Sequence, residues 1–515
     1  MRIGVDVGGT NTDAVAFDGK KLLALIKTPT TADVISGVTL AIGQIVNQAK
    51  LDVSSVSAVM VGTTHFTNAI VEAKHLLPTA IVRLCGRSTR ALPPMRDWPP
   101  FLRDIIGGEI FLLNGGHEFD GRLIEKLDLD EIDQTIKRIG ELQLQTVAIS
   151  SVFSPVNACH EKEVSERFSV LLPNVAVSIS SEIGRIGLLE RENATILNAC
   201  LRGIADKMIA ALNNSIRDLG IEASLFISQN DGTLMSAEYT NRYPIATFAS
   251  GPTNSMRGAA FLSGQTDCAV IDIGGTTSDI GILRAGFPRE ASSAVNVGGV
   301  RTNFRMPDVH SIGVGGGSII RTDSGLSVGP DSVGFRIRTE ALVFGGSTLT
   351  ATDLAVAAGR ADVGDRSLVA HLDQGMVRDA LELIRQKIGT ALDAMMTTPE
   401  PIPVVLVGGG HIICGDDIPN TSATIRPNNL EVANAVGAAI AQVGSQVDRI
   451  VPITPDNRNQ AIEQIRHETI ARCISAGAIP QSVSIIEIEE VPLAYLPSNS
   501  IRIRMRAVGD LDFVK

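Results

Sequence analysis

The chain has 515 residues, of which 44% are hydrophobic, 20% charged and only 4% aromatic, and its formal net charge is −11. That profile fits a globular enzyme of about two to four domains with an aliphatic core, and it excludes a disordered chain. No apolar run reaches membrane-spanning length and no basic stripe interleaves with aromatics, so neither a membrane nor a nucleic acid is an expected partner. A strand begins by residue 3, which leaves no room for a secretory leader. Cysteines 85, 159, 200, 268, 414 and 473 show no CxxC spacing and read as reduced thiols of a cytoplasmic protein.

Apolar alternation predicts strands over 2–7, 12–18 and 21–28. Val34, Val38, Ile42, Ile45 and Val46 recur at helical spacing and predict a helix over 33–49. A strand at 57–62, a helix opening near Thr67 and a strand at 79–85 continue a mixed α/β layer. Residues 86–127 break the rhythm. "RALPPMRDWPPF" holds four prolines and the single Trp, "NGGHEFDGRL" reads as a hairpin turn, and the stretch reads as an insertion at the sheet's rim. Alternation resumes with a strand at 146–152, a helix at 158–171, a strand at 175–179, a long helix at 187–217 and a strand at 224–228. A second half follows: a strand–turn–strand at 268–286, a Gly-rich stretch at 296–348, a helix at 374–396, an apolar strand at 402–410 and a helix at 429–443. The tail offers a helix at 457–476 and strands at 483–489 and 500–507. The expected domains are therefore 1–245, with its insertion, 246–447, and a small α+β appendage at 448–515.

"RIGVDVGGTNTDAVAFDG" at 2–19 returns as "CAVIDIGGTTSDIGILRAG" at 268–286, aligned on Asp6 and Asp272. Glycine at a tight turn lets backbone N–H groups approach a ligand where a Cβ would collide. Gly8, Gly9, Thr10, Asn11 and Thr12, and again Gly274, Gly275, Thr276 and Thr277, form donor clusters suited to phosphate oxygens. Asp6 and Asp272 at the strand ends suit a hydrated Mg²⁺, and Asp13 and Asp279 suit a water or the threonine hydroxyls. One such turn alone is equally a structural hairpin; two, each opening an α/β half, favour a nucleotide held from both sides. "VVLVGGGHI" at 404–412 adds a strand ending in Gly408, Gly409 and Gly410, where backbone can lie flat against adenosine.

This order of turns resembles the superfamily of actin, sugar kinases and heat-shock chaperone ATPases, which implies two ribonuclease-H-like lobes with ATP in the cleft between them. Further stretches resemble the hydantoinase/oxoprolinase family, specifically its ATP-binding A-type subunit. They are "VGTTHFTNAI" (61–70), "ERENATILNA" (190–199), "SQNDGTLMSAE", "SGPTNSMRGA", "DVHSIGVGGGSI" (308–319), "LSVGPDSVG" and "LTATD", in order up to about residue 445. The resemblance implies an ATP- and Mg²⁺-using enzyme that opens a cyclic amide such as a hydantoin or 5-oxoproline, with ketone carboxylation as a family variation. Thr63, Thr64, Asn68, Gly315, Gly316 and Ser318 are then candidates to face the substrate. Asn11 and Thr253-Asn254-Ser255 depart from the family pattern. No B-type catalytic half follows, so the resemblance implies a separate B-type partner polypeptide; a homo-oligomer stays open.

Chemically, phosphorylating a lactam carbonyl oxygen turns a poor electrophile into one that water attacks readily, and phosphoryl transfer needs mainly positioning and charge neutralisation. A small-molecule kinase and a nucleotide-gated scaffold are the competing readings. Asp308 and His310, two apart on a strand, offer a second divalent-metal or substrate site. His117 sits on the inserted hairpin, where a turn role is favoured over an approach to the cleft; His65 reads as substrate contact or helix entry, and His160 and His467 as surface. The Glu/Arg pairs of 187–217 read as a solvated helix face.

Overall fold

The computed structural model describes residues 1–511 apart from residues 20, 32, 292–293, 324, 453–456 and 494–499. The last four residues of the expected tail thus lie outside the described residues.

Strands Arg2–Val7 and Asn11–Asp18 pair antiparallel with Asp6 opposite Asp13. Strands Cys268–Ile273 and Ser278–Arg284 repeat the arrangement with Asp272 opposite Asp279. One backbone bond closes each elbow: Gly8 N–H to the Asn11 carbonyl at 3.0 Å, and Gly274 N–H to the Thr277 carbonyl at 2.9 Å. Each leading strand also has a parallel neighbour on its other side, Ala58–Thr63 in the first half and Ile402–Val407 in the second. The sequence repeat is therefore a repeat of three strands.

Nine strands form the first sheet, in the order Ser484–Pro492, Ser500–Gly509, Val443–Pro452, Leu234–Ser236, Ser224–Ser228, Ala58–Thr63, Arg2–Val7, Asn11–Asp18, Lys21–Pro29. The C-terminal segment has the expected helix and strands, but they extend this sheet and do not stand apart. The helix expected up to 443 ends at Ile440, because Val443 begins a strand that pairs with Leu234 on one side and runs along Ser500–Gly509 on the other. Glu290 of the second half clasps the tail: it accepts from Arg504 at 2.7 Å, from Arg185 at 3.0 Å and from Arg305. The second sheet runs Phe287–Pro288, Ser278–Arg284, Cys268–Ile273, Ile402–Val407, Thr421–Ile425, with Val309–Ile312 also paired to Ser278–Arg284.

The 79–85 strand does not join the first sheet. Thr79–Leu84 lies in a four-stranded parallel sheet of its own, in the order Gly107–Leu113, Thr79–Leu84, Thr146–Ser151, Ala176–Ile179. Gly107–Leu113 of the supposed insertion is this sheet's edge strand, while Met95 and Trp98 of its Pro-rich part are buried in the first lobe's core. Helix Leu188–Asp218 packs between the two sheets, so Arg191 and Glu192 are buried and not on a solvated face. Glu192 accepts from Arg83 and Ser150; Arg191 donates to Ser180 and to the carbonyls of residues 151 and 185–187. Most of this arginine's partners lie in the turn just before its own helix, and only Ser151 comes from a distant strand.

Helices Ser250–Ser263 and Ala433–Ile440 cross between the lobes with backbones in contact. A Cβ at Gly258 would lie 1.9 Å from the Ala433 carbonyl oxygen, and one at Gly437 1.8 Å from that of Asn254. No side chain fits there. The close crossing places Asn254, Ser255 and Asn434 against the carboxylates of both elbows.

Candidate active site

The two elbows touch. A Cβ at Gly275 would be 2.9 Å from Thr10 Oγ1, so turns from opposite halves of the sequence share one spot. Elbow closure occupies the amides of Gly8 and Gly274, which leaves those of Gly9, Thr10, Gly275 and Thr276 without a backbone partner among the described residues. Gly9 has open space where a side chain would be. Thr12 is not part of this surface: it is buried on the other face of its strand, with Oγ1 3.4 Å from that of Thr30.

Asp6 and Asp13 are buried, and Asp272 and Asp279 are half-buried beside them. Burial pushes Asp6 up to about 7, and Asp279 to about 6. Asp13 and Asp272 are raised for the same reason, although the Lys27 ammonium pulls against it in both. The parallel third strands leave room for the carboxylates: a Cβ at Gly62 would sit 2.3 Å from Asp6 Oδ1, and one at Gly408 2.2 Å from Asp272 Oδ1.

A chain of side chains joins the two lobes' leading aspartates. Asn254 Nδ2 donates to Asp6 Oδ1 at 3.2 Å and Asn434 Nδ2 to Asp6 Oδ2 at 3.3 Å. Ser255 Oγ lies within hydrogen-bond distance of both Asn434 Oδ1 and Asp272 Oδ2. The protons do not balance with both acids ionised. Three links connect Asp6, Asn434, Ser255 and Asp272, yet the amide and the hydroxyl supply only two hydrogens to them. The third must come from a protonated carboxyl, Asp272 as drawn or Asp6 if the Asn434 amide is turned over. Two acids that share one proton in a buried spot hold less negative charge than the pair would in water.

Lys27 was not singled out by the sequence. Its Nζ donates to Asp13 Oδ2 at 2.9 Å and to the Glu431 carbonyl at 2.8 Å, so it also ties the first sheet to the turn before helix Ala433–Ile440. Asn434 was missed as well, and Asn254 and Ser255 were noticed only as departures. The third turn closes the same spot: Gly410 N–H donates to the Ile273 carbonyl at 2.7 Å and Gly316 N–H to that of Gly274 at 2.9 Å. Gly315 N–H donates to Ser318 Oγ at 2.8 Å, which folds the Gly-rich run under the second elbow. Thr63 ends its strand buried, with its carbonyl accepting from Ser250 at 3.2 Å, and Asn68 Nδ2 lies 3.4 Å from Thr64 Oγ1.

Asp308 and His310 are not assembled into a metal pair. Asp308 is held by Arg289 at 2.7 Å, and His310 is exposed on Val309–Ile312. His117 lies far from the elbows in the fold, at the edge of the small parallel sheet. There it stacks on His160, which is buried and not at the surface, with ring centroids 4.4 Å apart. His467 is exposed as expected.

Two α/β lobes built on one repeated strand–elbow–strand and closed on each other define an actin-like ATPase fold. Residues 2–171 match the hydantoinase/oxoprolinase N-terminal region and residues 191–449 match hydantoinase/oxoprolinase, so the chain belongs to the hydantoinase/oxoprolinase family. It is 27% identical over 418 residues to the caprolactamase subunit alpha of Pseudomonas jessenii, covering 76% of this chain and 59% of that protein. It is 26% identical over 397 residues to the acetophenone carboxylase gamma subunit of Aromatoleum aromaticum, covering 69% and 53%. The chain thus spans less than two thirds of the length of these relatives. In structure it resembles the ATP-dependent caprolactamase of Pseudomonas jessenii with a TM-score of 0.79 at 18% identity, covering 99% of this chain and 88% of that one. The nucleotide-free acetone carboxylase gives 0.69 at 17% identity with the same coverage, so both share the fold. Among the described residues, no helix is long and apolar enough to cross a membrane.

Proposed function

We propose that the chain binds ATP between its elbows and transfers the γ-phosphoryl group to the carbonyl oxygen of a cyclic amide, the activating half of an ATP-dependent ring opening. The observation that supports this most directly is the contact between Thr10 and Gly275 above four carboxylates of which two are held well above their ordinary range. The free amides of Gly9, Thr10, Gly275 and Thr276 are placed to bind phosphate oxygens, and Gly408, Gly409 and Gly410 to receive the adenosine. All-oxygen donors short of one counter-charge fit Mg²⁺, held by Asp6 and Asp272, which when bound neutralises charge on the phosphates. Asp13, positioned by Lys27, and Asp279, positioned by Ser311, are then the groups that orient water or a hydroxyl. Thr64 and Asn68 are the candidates to meet the amide directly, with the buried Thr63, Gly315, Gly316 and Ser318 shaping the site behind them.

Water adds to the carbon of the phosphorylated imidate, the ring nitrogen departs after protonation and leaves an acyl phosphate, and a second water attacks that carbonyl to release the acid and an inorganic phosphate that keeps the original carbonyl oxygen. We assign that second step to a B-type partner polypeptide. Support comes from relatives that are themselves named as subunits. The setting is cytoplasmic. A substrate lactam labelled with ¹⁸O at its carbonyl tests the reading: the label should appear in inorganic phosphate when chain, partner and Mg·ATP are combined. Label that stays wholly in the opened acid rejects it, and a stable phosphoester product indicates a kinase. The likeness to acetophenone and acetone carboxylases supports one second reading, phosphorylation of a ketone's enolate oxygen before carboxylation. Bicarbonate-dependent ADP release with a ketone, and none with lactams, would select it.

A further inference from the structure

The small parallel sheet has a site of its own. Its chain path runs from Thr79–Leu84 outward to Gly107–Leu113, then back across to Thr146–Ser151 and on to Ala176–Ile179, so the path reverses between Thr79–Leu84 and Thr146–Ser151. In open parallel sheets, ligands bind at the carboxyl ends of the strands where the path reverses. His117 stands over that point. Gly115 and Gly116, at φ +138 and +90, carry the backbone across the strand ends, and a Cβ at Gly116 would lie 3.0 Å from the Leu84 carbonyl oxygen. The His117 N–H then donates to the Val152 carbonyl at 3.2 Å.

Cys159 opens the 13-residue helix Cys159–Leu171 on the same edge, and its Sγ is 3.5 Å from His117 Nε2. It is exposed, whereas the other five cysteines are buried. The imidazole is only 1% exposed; its Nε2 faces the thiol and takes the thiol proton from the tautomer that carries the ring's own proton on Nδ1. Burial, with His160 beside it, keeps His117 below the ordinary histidine range, so the resting ring is neutral. Glu161, the one acid in the helix's first turn, is turned away, its oxygens held by Ser180 and by the Ser181 N–H.

We propose that Cys159 and His117 form a reactive thiol site at the carboxyl edge of the small sheet, open to low-molecular-weight disulfides. The Cys159 sulfur attacks one sulfur of the disulfide as His117 Nε2 draws off the thiol proton. The S–S bond breaks, and the departing thiolate takes that proton, giving a mixed disulfide and one free thiol. The site does not rest on the reading of the elbows.

Proximity alone would allow a metal, since the ligand atoms of His117, Cys159 and His160 all lie within 4.8 Å of one another. The hydrogen bonds speak against it. A ligating histidine donates its second nitrogen's proton to a fixed acceptor. Here His160 Nδ1 instead accepts from the Gly116 N–H at 3.1 Å, so ligation through its Nε2 would need an anionic ring.

The test is titration of the native full chain with dithiobis-nitrobenzoate, whose leaving thiolate is coloured, followed by peptide mapping. One equivalent is expected in a fast phase that maps to Cys159, about tenfold faster than the same cysteine in the denatured chain. C159S abolishes this phase, and H117Q slows it without changing its single-thiol stoichiometry. If H117Q does not fold, all six cysteines react together, and the native-to-denatured rate ratio of the unaltered chain then decides. A Cys159 rate equal to that in the denatured chain, or a folded H117Q with an unchanged rate, overturns the proposal. So does one zinc ion per chain that blocks the thiol until chelated.

Discussion

Replacing Asp6 by asparagine should make the protein more stable and less active at once. Asp6 titrates near 3.8 in an unfolded chain but at about 7 when folded, because burial disfavours its charge. The unfolded state therefore gives up this proton first, and stability is lost as pH rises through the window from 3.8 to about 7. At 1.36 kcal/mol per unit, the shift costs about 4 kcal/mol at pH 8, where the folded group is ionised, and about 2 kcal/mol at pH 5, where it stays protonated while the unfolded chain has lost the proton. The D6N amide carries no such cost. Its oxygen can accept from Asn254, and a turned Asn434 amide can accept from its Nδ2 while donating to Ser255, so every link in the chain keeps a hydrogen. Urea unfolding of both proteins with chelator present should show D6N ahead, by about 2 kcal/mol more at pH 8 than at pH 5. ATP hydrolysis by the variant should fall at least about a hundredfold, the scale of losing one electrostatic group. Equal stability of the two proteins at pH 8, or a gap independent of pH, would refute the idea that Asp6 is held charged at a cost.

Binding Mg·ATP should expel the proton shared along Asp6, Asn434, Ser255 and Asp272. Calorimetry at pH 7 in buffers of differing ionisation enthalpy should show net proton release by the wild type and less by D6N. Gly62→Ala places a methyl 2.3 Å from both Asp6 Oδ1 and Asn254 Nδ2, so ATPase activity should collapse while the circular dichroism spectrum stays native. Glu290→Gln strips the shared partner from Arg185, Arg305 and Arg504. Arg305 keeps Asp231 and Arg504 keeps Glu487 and Glu489, but Arg185 loses its carboxylate, so the unfolding free energy should fall by about 3 kcal/mol, read as an earlier denaturation midpoint. Proteolysis should then release the C-terminal strands first.

The elbows were legible because their residues are contiguous: Asp, Gly-Gly-Thr and Asp recur at one spacing, and that spacing fixes both the turn and the opposite pairing of the acids. What the elbows meet was not. Counting back from the turn at Asp18 and Lys21 puts Lys27 opposite Thr12, but a one-residue irregularity at Ala16–Phe17 shifts the register and sets Lys27 opposite Asp13. No local pattern marks that irregularity. Asn434 reads as one small polar residue on an apolar helix, and it acquires a role only because Gly258 and Gly437 let two helices touch. Strand patterning likewise gives Thr79–Leu84 correctly but not its sheet, since a buried parallel strand looks the same in either. Cys159 and His117 are 42 residues apart and meet only at that sheet's edge.

A crystal structure with Mg²⁺ and a non-hydrolysable ATP analogue puts the shared grip to the most direct test. The β- and γ-phosphates should accept from amides of both elbows, at residues 9–10 and 275–276, with the ion on Asp6 and Asp272. A nucleotide seated on one elbow alone, or bound anywhere else on the chain, would contradict it.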